Sequence, residues 1–433
     1  MRRLIVIAFL LEVLMSTAYA APSLDARIDD AAKRVEPAVI ANRRDIHEHP
    51  ELGNREVRTA KLVAERLQAL GIETKTGVAH TGVIGILKGG KPGRVVALRA
   101  DMDALPVTEQ VDLPFASKVR TTYNGQEVGV MHACGHDAHV AILLGVAEIL
   151  AGMRDQLPGT VKFLFQPAEE GAPQGEEGGA ALMVKEGALD HPKVDAVFGL
   201  HVTSRFEVNE LAYRPEGMMA AVDELKIKVR GKQTHGAYPW LGVDPIVTAA
   251  QIILGLQTIE SRQLDSSVAP SIITVGAIHG GVRNNIIPDE VEMIGTIRSL
   301  DKSMRDEIHA RIHKTAENIA TAAGATANVT IETGYPITFN DPTLTEKMIP
   351  TLRRVAGREH VALVNPVLGA EDFSFYQQKV PGLFFWVGTR PKGVRAADAA
   401  SNHSPLFYVD ESGLLLGIRS LAHLAVDYLS AAK

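Results

Sequence analysis

The residues best suited to catalysis lie in one short stretch, M-H-A-C-G-H-D-A-H, which spans Met131–His139. The stretch holds the only cysteine in the chain, Cys134, with His136 two positions later. Residues two apart do not share a helix face, so both are predicted on the lead-in to an apolar helix at Val140–Leu150. A thiolate and an imidazole held together at the start of a helix are typical of a transition-metal site. The alternative is a buried structural cysteine beside unrelated histidines.

Further candidate groups come after predicted strands. Four strands are each followed by such groups: Arg94–Leu98 by Asp101 and Asp103, Val161–Phe165 by Glu169 and Glu170, Val194–Leu200 by His201, and Gly382–Val387 by His403. In open α/β sheets, sites form outside the carboxyl ends of the strands. Candidate groups at the ends of four strands favour a single metal centre. The alternative is that each group only packs against its neighbours or caps the end of its own strand. The expected ligands are Cys134, His136, Glu170, His201 and His403.

Five ligands are more than one tetrahedral ion with an open position needs, which favours two divalent metals joined by a water or by a shared ligand. This donor set permits zinc, manganese, cobalt or nickel. The side chains of the neighbouring residues Glu169 and Glu170 diverge. We therefore expect one of these carboxylates to bind metal and the other to act as a general base.

The elements that must position these groups predict an α/β protein. The N-terminal part is predicted to form two helices, Ser23–His49 and Arg55–Leu70, and then two strands, Val83–Leu87 and Arg94–Leu98. The segment K-G-G-K-P-G between the strands lacks the spacing of a phosphate-binding loop. It is predicted to be the turn of a hairpin.

The middle of the chain predicts a separate α+β unit. Its elements follow the order βαββαβ: Glu224–Val229, Pro245–Ser261, Ser271–His279, Val291–Ser299, Lys302–Ala322 and Asn328–Glu332. The second and third strands alternate apolar and polar residues, as in an antiparallel sheet with one face in solvent. We therefore predict a ferredoxin-like domain at 218–333. It is inserted into a larger domain made of 21–217 and 334–433, which resumes with a helix at Pro342–Val355.

The composition narrows the class of protein. A content of 46% hydrophobic and 22% charged residues is that of a globular protein. The net charge of −6, the lack of a polybasic run and the low aromatic content argue against nucleic-acid binding.

Residues 1–20 predict a cleaved secretory signal. Arg2 and Arg3 precede an apolar stretch at Leu4–Met15, and Ala18 and Ala20 supply the small residues of a cleavage site. The stretch is shorter than the roughly 20 apolar residues of a membrane span, so no membrane association is expected after cleavage. The mature protein is expected in the periplasm or outside the cell.

Several motifs together resemble peptidase family M20, in the subfamily of N-acyl-amino-acid amidohydrolases, hippurate hydrolases and auxin-conjugate hydrolases. The matching stretches lie along nearly the whole mature chain: Arg44–Leu52, Arg99–Pro106, Met131–His139, Gln166–Gly171, Gly199–Val202, Gly231–Pro239, Asn285–Pro288, Gly369–Phe373 and His403–Pro405.

The resemblance implies a zinc-peptidase-like catalytic domain with a central mixed sheet and an inserted lid domain through which relatives dimerise. It implies that the five ligands named above hold two metals, that Glu169 is the general base, and that Asp103 orients a metal-binding histidine. In the lid, it implies that His235, Asn285 and Arg298 contact the substrate, with His235 helping to stabilise the oxyanion, in some relatives in the partner's site.

The resulting hypothesis is an exported, homodimeric amidohydrolase that cleaves N-acyl amino acids or small peptides with a free carboxylate. The alternatives are a broad carboxypeptidase or dipeptidase of the same fold, a thiol hydrolase with Cys134 as nucleophile, and a non-catalytic solute-binding protein. Two departures from the family pattern concern specificity. The segment Ala172–Gly179 is slightly longer than is typical, and Asn284 replaces the aromatic residue expected before Asn285.

Overall fold

The computed structural model describes residues 23–431, so the predicted signal at 1–20 lies outside the described part. Between these limits the helices are α1 (Leu24–Glu48), α2 (Val57–Ala69), α3 (His136–Ala151), α4 (Gly179–Lys185), α5 (Pro245–Arg262), α6 (Lys302–Ala322), α7 (Pro342–Ala356), α8 (Ser374–Gln377) and α9 (Leu414–Ser430). Several begin at a side chain that accepts a backbone N–H, as Ser23 does for α1 and Asp244 for α5. In the same range, no helix is long and apolar enough to cross a bilayer.

The strands follow in chain order: β1 (Glu73–Val78), β2 (Gly82–Lys88), β3 (Lys91–Asp101), β4 (Arg120–Tyr123), β5 (Gln126–Gly129), β6 (Pro158–Gln166), β7 (Ala196–Glu207), β8 (Leu211–Tyr213), β9 (Glu216–Met219), β10 (Ala221–Arg230), β11 (Thr234–His235), β12 (Ser271–Gly280), β13 (Ile286–Ile287), β14 (Glu290–Ser299), β15 (Thr326–Thr333), β16 (Thr338–Asn340), β17 (Val361–Leu363) and β18 (Gly382–Arg390).

The larger sheet is mixed, with the order β1-β2-β6-β3-β7-β18-β8-β17. Its central strands β6, β3, β7 and β18 are parallel, and β1 and β2 extend it in the antiparallel sense. The central strands are apolar and buried, as expected for parallel strands with both faces covered. Helices α1, α3 and α9 pack together over one face of this sheet. The predicted α/β class with a central mixed sheet is therefore confirmed.

The predicted hairpin between β2 and β3 is wrong, because β6 lies between these two strands. Val83 of β2 pairs with Phe165, and Val96 of β3 pairs with Val161 on the other side of β6. The glycine-rich link crosses the beginning of β6, where the Gly89 amide donates to the carbonyl of Gly159 over 2.8 Å. A Cβ at Gly89 would lie 2.3 Å from the Leu157 carbonyl oxygen, so this crossing, and not a turn, requires the glycine.

A second, four-stranded antiparallel sheet has the order β12-β14-β10-β15. With α5 and α6 it runs β10, α5, β12, β14, α6, β15 along the chain, the βαββαβ order expected from the sequence. It has its own cluster of buried apolar side chains, which includes Ile227, Leu256 and Ile308. The assignment of 218–333 as a lid and dimerisation domain stays a prediction.

Two local predictions need correction at the site. Helix α3 begins at His136, so only Cys134 lies on the lead-in; its N-cap Gly135 has a φ of 94°. Strand β7 continues to Glu207, so His201 lies inside the strand instead of following it. His201 still lies at the carboxyl-end side of the sheet, because β7 extends beyond its neighbour β3 there, with Arg99 of β3 paired to Gly199.

Candidate metal centre

Side chains from four segments meet beside the carboxyl ends of β3 and β6. One group consists of Cys134, His136 and His201, and a second of Cys134, Glu170 and His403; in each, the candidate ligand atoms lie within 4.8 Å of one another. The Cys134 Sγ is 3.3 Å from the His201 Nε2, and the His403 Nε2 is 3.0 Å from a Glu170 carboxylate oxygen. The structure thus brings all five predicted ligands together, as two groups that share Cys134.

Hydrogen bonds fix which nitrogen of two histidines is free. The Nδ1 of His136 donates to the backbone carbonyl of Asp103 over 2.8 Å, and the Nδ1 of His201 donates to the carbonyl of Val202 over 2.7 Å. A backbone carbonyl can only accept, so each Nδ1 carries a proton. In the neutral form the Nε2 lone pair of each ring then points into the cluster, as in a metal-binding histidine oriented by a second hydrogen bond.

His139 lies beside the cluster but has no free nitrogen. Its Nε2 accepts the backbone N–H of Val202 over 2.9 Å, and its Nδ1 contacts the Asp101 carboxylate at 2.5 Å. Although Asp101, His136 and His139 are close enough to form a third possible metal-binding group, these two bonds assign His139 a supporting role. It holds Asp101 towards the Nε2 of His136, 3.7 Å away.

A buried ion cluster beneath the site was not recognised in the sequence. The Arg99 guanidinium contacts carboxylate oxygens of Asp101 at 2.6 Å, of Asp372 at 2.8 Å and of Glu371 at 2.9 Å. All four side chains are at most 2% exposed. The signal was present in the sequence, since Arg99 lies in an apolar strand and Glu371 and Asp372 form the acidic pair of G-A-E-D-F.

The electrostatics of the site favour bound cations. Glu169 and Asp103 are buried beside the Arg99 cluster, so buried carboxylates outnumber the one buried guanidinium nearby. Burial, followed by the negative charges of Glu371 and Glu170, raises the pKa of Glu169 well above its usual range. Burial and the same kind of repulsion raise the pKa of the Cys134 thiol. A divalent cation would offset this repulsion and stabilise the thiolate.

The donor set fits divalent transition metals. It offers a thiol, three imidazoles and a carboxylate, which are the ligands that zinc and its neighbours prefer. The Nε2 of His136 is buried without a hydrogen-bond partner among the described residues. Burial alone would lower the pKa of His136, but Asp101 and Asp103 outweigh it and raise the pKa to about 10. The site therefore draws a positive charge to this nitrogen, either as a proton or as a metal.

The loop that carries Glu169 and Glu170 is anchored by hydrogen bonds to the buried side chain of Glu56. Ala168 has a φ of 50°, which is strained for a residue with a Cβ. Its backbone N–H donates to the buried Glu56 carboxylate over 2.8 Å, and the Thr81 hydroxyl donates to the same carboxylate over 2.5 Å. This turn places Glu169 against the buried cluster and Glu170 towards His403.

The three predicted lid residues lie outside the cluster. His235 is exposed in β11, and its Nδ1 accepts the N–H of Ala237 over 3.0 Å. The carbonyl of Asn285 accepts the N–H of Gly236, so Asn285 and His235 lie side by side. Arg298 is half-buried in β14, and burial lowers the pKa of its guanidinium. None of their hydrogen bonds within residues 23–431 reaches a predicted metal ligand.

The chain is similar to known proteins along most of its length. Residues 97–427 match the model of Peptidase family M20/M25/M40. The chain is 44% identical to thermostable carboxypeptidase 2 of Saccharolobus solfataricus over 404 residues, which cover 93% of this chain and 98% of that protein. It is 38% identical to an N-acetylcysteine deacetylase of Bacillus subtilis, over 93% of this chain and 100% of that protein.

A solved structure shares the fold. It is a dinuclear metal-binding peptidase of the M20 family from Bacillus subtilis, with a TM-score of 0.77 and 36% sequence identity. The match covers 92% of this chain and 100% of that one.

Proposed function

The chain belongs to peptidase family M20/M25/M40, and from that premise we propose that it is a metal-dependent amidohydrolase with a dinuclear centre, acting on N-acyl amino acids with a free carboxylate. Membership of the family makes the chain a hydrolase of amide or peptide bonds. One observation carries the proposal of a dinuclear centre with its own base. Two groups of candidate ligands share Cys134, and the buried carboxylate of Glu169 lies beside both.

The proposed ligands are those expected from the sequence, divided between the two groups. One metal would be held by Cys134, His136 and His201, and the other by Cys134, Glu170 and His403. Metals bound there would lower the pKa of a water and polarise the scissile carbonyl. Asp103 keeps the His136 ring in the required tautomer through its backbone carbonyl, and its carboxylate also accepts the backbone N–H of Glu170 over 2.9 Å.

Glu169 is the proposed general base. Its carboxylate lies within 4.8 Å of the candidate ligand atoms of His136 and Glu170, where it could take a proton from a water and then return it to the departing amine. Its position is fixed at the backbone, where the Tyr335 hydroxyl donates to the Glu169 carbonyl over 2.7 Å. Tyr335 follows the second sheet in the chain, so this bond links the site to the segment that joins the predicted domains.

The substrate carboxylate and the oxyanion are assigned to the lid residues. Arg298 offers a fork suited to a carboxylate, and Asn285 and His235 offer further polar contacts. Because His235 is exposed and makes no hydrogen bond to the predicted metal ligands of its own chain within the described residues, we propose that it acts in the site of a partner subunit.

A homodimer through the second sheet supports that assignment. Strand β12 is an edge strand, paired on one side with β14 and with no other strand of the described chain. Exposed apolar side chains of α5 and β12 form what we call the dimer surface: Ile246, Val247, Leu254, Ile272 and Ile278. Exposed apolar side chains on a helix and along an open strand edge are suited to pairing with a second copy.

A second candidate function is a carboxypeptidase of the same fold, favoured by the 44% identity to the Saccharolobus solfataricus carboxypeptidases. Both activities use the same metals and base, and they differ in what lies on the acyl side of the scissile bond. A peptide places an amino group there, whereas an N-acyl amino acid does not.

The test is hydrolysis of a matched panel by metal-loaded protein. The panel pairs N-acyl amino acids with dipeptides that carry the same C-terminal residue, and it covers several C-terminal residues. We expect the N-acyl compounds to have the higher kcat/KM. A consistent preference for the peptides would make the protein a carboxypeptidase, and full activity of metal-free protein would revive the Cys134 thiol mechanism.

Export is the proposed location. It is motivated by residues 1–20, and the experiment is to express the full chain and to sequence the N-terminus of protein recovered from the periplasm and medium. Intact protein confined to the cytoplasm would contradict it.

A further inference from the structure

A cavity of about 570 Å³ opens directly beside the candidate metal centre. Asp103 and Glu170 form its inner wall. Each is joined to a candidate ligand, since Asp103 holds His136 and Glu170 contacts His403 at 3.0 Å. A substrate whose scissile carbonyl lies among these groups would therefore extend one of its two ends into this cavity.

The outer walls come from three segments that are remote in the chain. They are the loop 50–55 between α1 and α2, the hairpin of β4 and β5, and the start of the segment Ala172–Gly179. The hairpin turns at Asn124 and Gly125, both at positive φ, as in the tight turn that matches strand twist. The third wall includes Pro173, so the long segment noted in the sequence borders this cavity.

The charged side chains that line the cavity are all paired within the protein. The two arginines form ion pairs, Arg55 with Glu176 and Arg120 with Glu127. Two carboxylates accept backbone N–H groups: Glu51 those of Arg58 and Thr59, and Asp103 that of Glu170. The Glu170 carboxylate contacts His403. The two cations of the lining, Arg55 and Arg120, are thus each engaged in an ion pair at the protein surface. The rest of the lining is largely apolar, with Leu52, Leu105, Val119 and Val130 among it.

The volume of the cavity indicates how large an acyl group must be to fill it. Small-molecule sites typically have about 300–1,000 Å³, and this cavity lies within that range. An acetyl group is comparable in size to about two water molecules and would leave most of the cavity to solvent. A longer alkyl chain or an aromatic ring would exclude that water from the apolar walls.

We propose that this cavity is the acyl subsite and that it selects substrates with a bulky, uncharged, apolar acyl group over acetylated ones. This inference rests on the proposed amidohydrolase function and names its substrate class. The amino-acid end, with its carboxylate, is assigned to the lid side of the site, because each of the two cations of the cavity lining already pairs with a glutamate.

The first experiment measures kcat/KM for one amino acid that carries a graded set of acyl groups. The set is acetyl, butanoyl, hexanoyl, phenylacetyl and succinyl. We expect kcat/KM to rise at least about tenfold from acetyl to hexanoyl or phenylacetyl, since each methylene buried in an apolar pocket adds to discrimination. A flat or falling series would overturn the subsite, and so would a preference for succinyl, which would show that Arg55 or Arg120 is available to an anion.

The second experiment narrows the cavity from its rim. Pro173→Trp adds volume to the wall, and Gln174→Trp adds the same side chain at the next position, which is exposed and outside the lining. We expect Pro173→Trp to lower the ratio of phenylacetyl to acetyl kcat/KM at least about tenfold and Gln174→Trp to leave that ratio unchanged. Circular dichroism of both variants checks that they fold. Should Pro173→Trp not fold, Thr122→Trp narrows the same cavity from its hairpin wall. Equal ratios in folded variants would overturn the proposal.

The outcomes separate this inference from the function on which it rests. If no acylated amino acid of the set is hydrolysed, the proposed function fails. If all are hydrolysed at similar rates, the function stands and the acyl subsite fails.

Discussion

At the scale of single residues, the role of each histidine in the site depends on the hydrogen bonds that its two ring nitrogens make. In His136 and His201, the Nδ1 donates a hydrogen bond to a backbone carbonyl, and the Nε2 remains free to bind a metal in the cluster. His139 uses both nitrogens and is thereby removed from the ligand set, although it lies as close. Three histidines within one cluster therefore have two different roles, and hydrogen-bond direction decides between them.

The neighbouring carboxylates Glu169 and Glu170 should fail differently when each is changed to glutamine. Glu169→Gln removes the base but no proposed ligand, so metal content should be unchanged while kcat falls by about 10² to 10⁴. Glu170→Gln removes a ligand beside His403 and should lower metal content. Elemental analysis of dialysed protein, together with kcat, measures both effects. Equal metal content with equal residual activity would show that the two roles are not divided in this way.

The sequence was sufficient to name the five residues that the structure brings together. They could be recognised because each follows an apolar segment or stands in a run of rare residue types. Arg99, Glu371 and Asp372 each stand out in the sequence, but they could not be grouped, because their contacts join positions more than 270 residues apart. His139 was named in a motif, but its role depends on the Val202 N–H, which only the fold brings near.

At the scale of elements, the order of strands in the larger sheet depends on pairing between segments that are distant in the chain, which the local sequence pattern does not show. The turn-rich link between β2 and β3 has the composition of a hairpin, yet the central strands are apolar on both faces and need neighbours on both sides. β6, which lies about seventy residues later, supplies that neighbour to both β2 and β3. The βαββαβ order was easier to predict, since its second and third strands show in the local sequence the alternation of an antiparallel sheet.

Glu56 tests how the loop after β6 is held. Burial, followed by the charge of Asp103, raises the pKa of Glu56 from the usual 4.5 to about 8. Between these pH values the folded protein keeps a proton that the unfolded chain has released. The free energy of unfolding should therefore fall as pH rises through this range, by at most about 1.4 kcal/mol per pH unit from this group.

Glu56→Gln removes this titration and keeps an acceptor for the Ala168 N–H. Relative to wild type, the variant should become progressively more stable between pH 5 and pH 8, as measured by urea unfolding at several pH values. Glu65→Gln is the matched control, because that residue lies on α2 with its side chain 64% exposed. If the difference between Glu56→Gln and wild type did not change with pH, Glu56 would be ionised in the folded state.

At the scale of the whole molecule, the dimer surface should hold two copies together. Leu254→Glu places a charge on this surface and should weaken the dimer by about 30-fold or more in Kd, the effect of losing one interfacial hot spot. Leu363→Glu is the control, since Leu363 is 65% exposed on β17, outside the dimer surface, whereas Leu254 is 70% exposed. Sedimentation equilibrium compares the three proteins. A wild type that is monomeric at micromolar concentration would contradict the surface assignment.

The dimer matters for catalysis only if each site contains a residue from the other subunit. His235→Ala should keep its metals and lose about 10² to 10³ in kcat, the usual cost of removing one oxyanion donor. Glu169→Gln should also be nearly inactive. When the two variants are mixed in equal amounts and allowed to exchange, half of the dimers are hybrids. In each hybrid, the subunit with an intact Glu169 receives an intact His235 from its partner, so about a quarter of all sites should work. Recovery to about a quarter of wild-type activity would place His235 in trans. If the mixture stayed inactive while hybrids were present, His235 would act in its own subunit or only in the structure of the lid.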